Sequence, residues 1–185
     1  MRIIAGRFRS VALASVGKGD AGAHLRPTTD RVRESLFNVL HNHDVLVGAQ
    51  VLDLFAGTGA LGLEALSRGA AHVTFVDDGR VAGRLIRENI AKLRVQQETR
   101  LITRDARALP ACGGTPCNLV FLDPPYGRDL GQPALAQADD AGWLVQDAFV
   151  VWEEAGPMQP PQGFTLVDQR KYGDSWITLL SKTPS

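Results

Sequence analysis

The chain has 185 residues, the length of a single domain, and its 20 basic and 20 acidic side chains leave no net charge at pH 7. Hydrophobic residues make up 44% of the sequence and charged residues 22%, with no long apolar run, which argues against a membrane-spanning protein. The balanced charge excludes a general attraction to polyanions, so any nucleic-acid surface has to be local. We predict a protein of the cytoplasm that has no membrane partner.

Residues 1–25 are predicted to form a small basic β-hairpin extension. Residues 2–13 have the short mixed pattern of a hairpin arm, and the glycine-rich stretch 17–23 is typical of a loop. The first 19 residues contain no acidic residue and four basic ones, Arg2, Arg7, Arg9 and Lys18. Taken alone, this composition favours a solvated terminus over a nucleic-acid contact.

Residues 26–185 are predicted to form one α/β domain. Helix-start chemistry at residues 27–30 precedes apolar side chains at helical spacing up to Leu40. Apolar runs then alternate with helical patterns, giving strands at 51–55, 72–76, 99–103, 118–122 and 148–152 and helices at 60–68 and 80–93. Such near-continuous apolar strands predict a mostly parallel sheet covered on both faces. Two last strands, 164–171 and 175–181, predict an antiparallel C-terminal hairpin and bring the total to seven.

Four aspartates lie at or just beyond the ends of successive predicted strands: Asp53, Asp77, Asp105 and Asp123. Right-handed crossovers between parallel strands place ligands beyond the carboxyl ends of the strands, at the point where the strand order reverses. We therefore expect these four carboxylates to line one site.

A glycine-rich segment, Gly57-Thr58-Gly59-Ala60-Leu61-Gly62, follows the first strand and opens a helix. Its spacing, with an acidic residue about 20 positions later at Asp77, fits a nicotinamide dinucleotide site as well as a nucleoside site of another kind. Asp53 separates the two, because a carboxylate ahead of the glycines repels a pyrophosphate and attracts the ammonium and sulfonium groups of S-adenosylmethionine. The charge pattern favours S-adenosylmethionine as the cofactor. A structural role for Asp53 in capping the following turn stays open.

The pair Asp105-Ala106 follows the third strand of the domain. The carboxylate is placed to accept a hydrogen bond from an adenine amino group, and the small alanine leaves room for the ring. An Asp-Ala pair in this position is also a common helix start, so the pair carries weight only as part of the series.

The tetrapeptide Asp123-Pro124-Pro125-Tyr126 follows a fourth apolar strand. Two consecutive prolines fix φ and remove two backbone donors, which leaves a stiff loop with free carbonyl acceptors. Such a loop suits an exocyclic amine, which would donate one hydrogen to Asp123 and one to the Pro124 carbonyl. Tyr126 is predicted to stack on the flipped base. A rigid turn with a core tyrosine is the structural alternative.

These motifs together resemble the amino-methyltransferases with a [D/N]-P-P-[Y/F] signature, and within them the bacterial 16S rRNA guanine-N2 methyltransferase family. The resemblance rests on residues 26–38 (RPTTDRVRESLFN), 51–69 (VLDLFAGTGALGLEALSRG), 122–126 (LDPPY) and 170–173 (RKYG). It implies a Rossmann-like class I methyltransferase fold and a cytoplasmic, monomeric enzyme that uses S-adenosylmethionine. It also implies methylation of one guanine N2 in the 16S rRNA of an assembled or assembling small ribosomal subunit.

The resemblance carries roles over to residues of this chain. It places the cofactor at Phe55, Ala56, Gly57, Thr58 and Gly59, with Thr28 near the methionine end of the donor. It turns the basic N-terminus into an RNA contact, with Arg7 and Arg9 foremost and Arg2, Arg26, Arg31 and Arg33 behind them. The acid after the second strand is usually glutamate in this family, whereas here Asp77 is followed by Asp78, so either aspartate could reach the ribose.

Several alternatives remain at this stage. The same loop could methylate adenine in DNA or RNA, or a protein amide, and the glycine motif alone permits a NAD-binding oxidoreductase. A non-catalytic RNA-binding module is a further possibility. No metal site is predicted, because the stretch from Cys112 to Cys117 has no second cysteine pair and the four histidines lack metal-ligand spacing.

Overall fold

The computed structural model describes residues 1–17, 25 and 28–184. Its helices are α1 (Asp30–Asn42), α2 (Ala60–Ser67), α3 (Arg80–Leu93) and α4 (Gly131–Asp140), and short 3-10 turns lie at Gln96–Glu98 and Ala106–Ala108. The strands are β1 (Gln50–Leu54), β2 (His72–Val76), β3 (Thr99–Ile102), β4 (Cys117–Leu122), β5 (Leu144–Glu154), β6 (Phe164–Tyr172) and β7 (Ser175–Lys182). No helix of the described residues is long and apolar enough to span a membrane.

The seven strands form one sheet in the order β3-β2-β1-β4-β5-β7-β6. Strands β1 to β5 pair in parallel, whereas β7 pairs antiparallel with both β5 and β6. The strand order reverses between β1 and β4, so a crevice opens beyond their carboxyl ends. The predicted Rossmann-like fold, with a mostly parallel seven-stranded sheet and a closing antiparallel hairpin, is confirmed.

Two apolar cores cover the two faces of this sheet. Residues of α1, α2 and α3 pack on one face, around Phe37, Leu63 and Ile86. The other face is covered by α4 and the segment around Leu109 and Trp143. Burial on both faces explains why β1, β2 and β4 are nearly continuous apolar runs in the sequence.

The predicted elements match the observed ones to within a few residues, apart from α4 and the start of β5. Helix α4 was not predicted, and β5 begins four residues before the predicted strand at Ala148. The extra length of β5 contains a shift in its register with β4 between Cys117 and Leu119 and a positive φ at Asp147. Such a bulge interrupts the apolar pattern from which strands are predicted.

The N-terminal strap, residues 1–16, packs along α2. A single antiparallel bridge joins Arg2 to Ala12, and Ile3 and Leu13 are buried in the main apolar core. The Glu64 carboxylate of α2 accepts hydrogen bonds from the amides of Ile4 and Ala5. The predicted hairpin is thus reduced to a single bridge, and the strap lies against the domain. Most of the predicted 17–23 loop is outside the described residues, and the domain boundary at residues 25 and 26 stays a prediction.

Candidate active site

A cavity of about 690 Å³ opens beyond the carboxyl ends of β1, β2 and β4, and a smaller one of about 160 Å³ adjoins it. The two share five lining residues, Phe55, Asp77, Asp78, Pro125 and Arg128, so they form one continuous cleft. The predicted cofactor residues that line the larger part are Thr28, Asp53, Phe55, Ala56, Gly57, Thr58, Asp77 and Asp78. Asp105 and Ala106 line the smaller part. The predicted catalytic loop, residues 123–127, borders the larger part through Asp123, Pro124 and Pro125.

The loop between β1 and α2 makes a tight turn. Phe55, Gly57 and Gly59 have φ values of 57°, 61° and 83°, in the left-handed region that favours glycine. Gly59 caps α2, and a Cβ at this position would lie 3.3 Å from the Phe75 ring. Gly59 is thus a structural residue of the turn and does not line either part of the cleft. The strained Phe55 lines both parts of the cleft.

Asp53 is the deepest charged group of the cleft, with 1% of its surface exposed. Its carboxylate accepts a hydrogen bond from the Gly62 amide at 3.0 Å. Burial raises the pKa of Asp53 well above its ordinary value, and the charge of Asp77 raises this pKa further. A buried carboxylate of this kind is stabilised when a cation binds next to it.

Asp77 holds the glycine loop to the end of β2. One of its carboxylate oxygens accepts from the Gly57 amide at 2.9 Å and the other from the Gly79 amide at 2.8 Å. Burial raises the pKa of Asp77 despite these two bonds. The neighbouring Asp78 is exposed and borders both parts of the cleft. Asp77 therefore shapes the loop, and both aspartates stay candidates for the ribose.

Asp105 forms the wall of the smaller cavity. It caps the 3-10 turn by accepting from the Arg107 amide, and its carboxylate accepts from Nε and a terminal nitrogen of the Arg107 guanidinium at 3.1 and 2.7 Å. These hydrogen bonds lower the pKa of Asp105. The adjacent Ala106 is buried. Asp105 therefore caps the turn and, with Ala106, also lines the smaller cavity.

The catalytic loop, residues 123–127, is fixed at both ends. At its start the Asp123 amide donates to the Leu54 carbonyl at 3.4 Å. At its end the Gly127 amide donates to a carboxylate oxygen of Glu154 at 3.3 Å. Pro124 is buried and Pro125 exposed, which leaves the stiff segment facing the cavity.

Tyr126 is half-buried, and its hydroxyl has partners on two other strands. It donates to Glu153 of β5 at 3.3 Å and shares a short hydrogen bond with the Ser175 hydroxyl of β7. The ring is not part of the cleft lining, and stacking on a target base stays a prediction. Glu153, Glu154 and Ser175 were not predicted from the sequence. The only signal in the sequence was a pair of acids at the end of an apolar strand.

The predicted RNA-binding arginines have different environments. Arg33 is completely buried and donates to Asp30 at 2.6 Å, so the prediction that it contacts RNA is wrong. Its charge is used inside the protein, where it ties α1 to the backbone carbonyl of Arg2. Arg2, Arg7, Arg9 and Arg31 are exposed, whereas Arg26 lies outside the described residues.

Arg7 and Arg9 lie far from the catalytic loop. The Arg7 amide donates to the Ser67 carbonyl at the last residue of α2, and its guanidinium pairs with Glu98, just before β3. Helix α2 begins at the cleft and its eight residues span about 12 Å. The turn of the strap, residues 5–10, therefore lies at the end of the sheet opposite the cleft.

Other reactive groups lie outside this cleft. The described residues contain no cluster of three or more His, Cys, Asp or Glu side chains able to hold a metal ion. Burial raises the pKa of the Cys117 thiol to about 12, so this cysteine is a packing residue and not a nucleophile.

The sequence matches a family model described as Conserved hypothetical protein 95 over residues 1–181. The chain is also 43% identical over 176 residues to ribosomal RNA small subunit methyltransferase D of Escherichia coli, covering 94% of this chain and 85% of that protein. The chain belongs to the methyltransferase D family. YlbH of Bacillus subtilis is 36% identical over 188 residues, covering 98% of this chain and 99% of that one.

The chain is also similar in structure to a solved protein. The solved structure of yhhF from Escherichia coli superposes with a TM-score of 0.85 at 38% identity, covering 100% of this chain and 99% of that chain. The resemblance inferred from the four sequence blocks is therefore confirmed, and this chain is an enzyme of the methyltransferase class. The oxidoreductase that the glycine motif alone permitted is set aside.

Proposed function

We propose that the protein transfers a methyl group from S-adenosylmethionine to the exocyclic N2 amine of a guanine in 16S rRNA. The observation that carries the proposal is the Asp123–Gly127 loop, which borders the same cleft as the buried carboxylate of Asp53. The family membership supports it, since the Escherichia coli relative is named for ribosomal RNA of the small subunit.

The residues of the cleft fit S-adenosylmethionine. This molecule supplies a methyl group made electrophilic by a positively charged sulfur. Asp53 is a buried carboxyl group whose ionised form would be stabilised by the positive charges of the methionine end, and Thr28 and Thr58 add hydroxyls there. Phe55 forms the wall between the two parts of the cleft, with Asp77 and Asp78 on the ribose side. Asp105 and Ala106 form the adenine end.

The catalytic loop orients the amine. An exocyclic base amine is a poor nucleophile because its lone pair is delocalised into the ring. Hydrogen bonds from its two hydrogens to the Asp123 carboxylate and the Pro124 carbonyl localise the lone pair and direct it at the methyl carbon. Positioning of this kind supplies about 7–11 kcal/mol of a barrier, so no strong base has to act first. Asp123 then takes the proton that the methylated nitrogen releases.

The substrate is a base removed from its stack. Extrusion of a base costs a few kcal/mol, and stacking on an aromatic ring returns about 1–3 kcal/mol. Tyr126 supplies that ring in this proposal. Exposed Arg2, Arg7, Arg9 and Arg31 bind phosphates of the rRNA, and the enzyme works in the cytoplasm as a monomer on an assembled or assembling small subunit.

Methyl transfer to small ribosomal subunits that lack the modification tests this function. Purified protein with labelled S-adenosylmethionine is expected to label 16S rRNA, and Asp123→Ala is expected to abolish labelling while cofactor binding measured by calorimetry persists. Asp140→Ala, at an exposed aspartate at the end of α4, is the matched control and keeps full activity. Absence of label with the wild-type protein would refute the substrate assignment.

A further inference from the structure

Glu153 lies at the end of β5, beside the catalytic loop, and only 4% of its surface is exposed. Its two carboxylate oxygens have different partners. Oε1 accepts from the Tyr126 hydroxyl at 3.3 Å, and Oε2 accepts from the Thr28 hydroxyl at 3.1 Å. A buried carboxylate is tolerated only when it is well hydrogen-bonded. The bonds that stabilise Glu153 therefore also hold both hydroxyls in place.

The two hydroxyls belong to different sides of the site. Thr28 precedes α1 and lines the larger cavity, where the cofactor fits. Tyr126 is the last side chain of the catalytic loop, which presents the amine. Ser175, at the start of β7, holds the Tyr126 hydroxyl as well. One buried carboxylate thus connects the cofactor side of the cleft to the acceptor side, and Ser175 joins the same tyrosine to the C-terminal hairpin.

We propose that Glu153 is a positioning residue that sets the distance between the methyl donor and the amine, an inference that rests on the proposed function. Transfer requires the reacting atoms at about 3–3.5 Å and in line, and a misplacement of about 1 Å costs about a hundredfold in rate. Glu153 touches neither reacting group. It acts through the hydroxyls of Thr28 and Tyr126, which fix the two sides relative to each other.

In this proposal the hydroxyl and the ring of Tyr126 have different functions. A tyrosine that only stacks on the base would be replaced by phenylalanine without loss, because both residues have the same ring face. A tyrosine held by Glu153 would lose its anchor in Tyr126→Phe while keeping its stacking surface. The substitution therefore distinguishes the two roles with a loss of one oxygen atom.

Steady-state kinetics on unmodified small subunits tests the proposal. Tyr126→Phe and Glu153→Gln are each expected to lower kcat by about tenfold, with KM for S-adenosylmethionine within about twofold of wild type. The double variant is expected to lose about as much kcat as the more impaired of the two single variants, because the effects of residues that act as a unit do not add. Glu88→Gln, at an exposed glutamate on α3, is the control and keeps the wild-type kcat.

Hydrogen exchange at the Gly127 amide gives a readout that needs no activity. This amide is bonded to Glu154 at the end of the catalytic loop, and it is expected to exchange about tenfold faster in both variants, at an unchanged thermal midpoint. Thr28→Val replaces Glu153→Gln if the latter does not fold. Wild-type kcat and wild-type Gly127 exchange in Tyr126→Phe would overturn the proposal. A wild-type protein without transferase activity would refute the proposed function alone, since the exchange measurement still decides the role of Glu153.

Discussion

At the scale of single residues, Asp53 is a group that is expected to favour cofactor binding and to lower the stability of the fold. Its carboxylate has almost no exposed surface and accepts one backbone hydrogen bond, which an amide of the same shape can also accept. We expect Asp53→Asn to unfold at the same or a higher temperature than wild type at pH 7, because the amide removes the cost of burying an ionisable carboxyl group. Calorimetry is expected to show S-adenosylmethionine binding weakened by at least about tenfold. Unchanged binding would remove Asp53 from the cofactor site.

The raised pKa values of Asp53 and Asp77 also predict a pH dependence of stability. Burial raises both values, so the folded protein binds more protons than the unfolded chain between the ordinary aspartate pKa, about 3.9, and the raised values. The free energy of unfolding therefore falls as pH rises through this window. Asp105 and Asp168 have lowered pKa values and act in the opposite direction below it.

A comparison of wild type with Asp53→Asn isolates the contribution of Asp53 to this pH dependence, since Asp77, Asp105 and Asp168 are common to both proteins. In the absence of cofactor, the stability of wild type relative to Asp53→Asn is expected to decline as pH rises through the window. Urea denaturation at a series of pH values measures the difference. A difference that is constant with pH would show that Asp53 titrates normally in the folded protein.

Gly62 is required by close packing and not by its backbone conformation. A Cβ at this position would lie 2.6 Å from the Phe75 ring, 2.7 Å from Val73 and 3.0 Å from the Asp53 carboxylate. We expect Gly62→Ala to cost about 1–3 kcal/mol of stability, the usual cost of overpacking a core. Gly156→Ala is the matched control, because a Cβ there has no neighbour within 4 Å. Equal urea midpoints for the two variants would contradict this account.

At the scale of elements, Asn89 of α3 joins the N-terminal strap to the glycine loop. Its side chain accepts from the Ala14 amide at 2.7 Å and donates to the carbonyls of Ala14 and Thr58 at 3.1 and 2.9 Å. Asn89→Ala leaves the partly buried groups of Ala14 and the buried Thr58 carbonyl without this partner, and we expect it to cost at least about 2 kcal/mol in urea denaturation. Asn118→Ala removes one exposed hydrogen bond and is expected to cost under about 1 kcal/mol. A similar small cost for both would show that the strap is loosely attached.

The elements that the sequence predicted well are the ones whose burial is uniform. Helix α3 and strand β2 match the prediction at both ends because their apolar periodicity is complete. Helix α4 was missed because it has no side-chain N-cap, has a proline in its first turn and buries mainly alanines. Its packing against β5 is a tertiary property that a local pattern does not contain.

The residues of the cleft were likewise predicted where a local sequence pattern marks them. Asp53, Asp77, Asp105 and Asp123 were predicted to meet because parallel strands end at one edge, and the sequence marks each strand end. Glu153 and Ser175 were missed because they reach the catalytic loop across β5 and β7, over 27 and 49 residues of separation. Arg33 was misassigned because a charged residue on a helix is usually exposed, and here it is paired inside the protein.

At the scale of the whole molecule, the strap runs from the cleft, which Met1 and Ser15 line, to the opposite end of the sheet, and we propose that RNA binds along this length. Arg9 lies on the turn of the strap and is exposed, whereas Arg33 is buried. We expect Arg9→Ala to weaken binding to small subunits and to reduce the slope of log affinity against log salt by about one, with kcat at saturation unchanged. Arg33→Met is expected to alter the urea midpoint and leave the salt slope unchanged. A salt slope that responds to Arg33 and not to Arg9 would contradict this arrangement.

The identity of the methylated nucleoside decides whether the protein methylates guanine N2. Small subunits lacking the modification are incubated with the protein and labelled S-adenosylmethionine, and their 16S rRNA is digested and separated by mass analysis, with Asp123→Ala as the inactive control. We predict that all label is in N2-methylguanosine from one position. Label in methylated adenosine or in ribosomal protein, or no label at all, would contradict it.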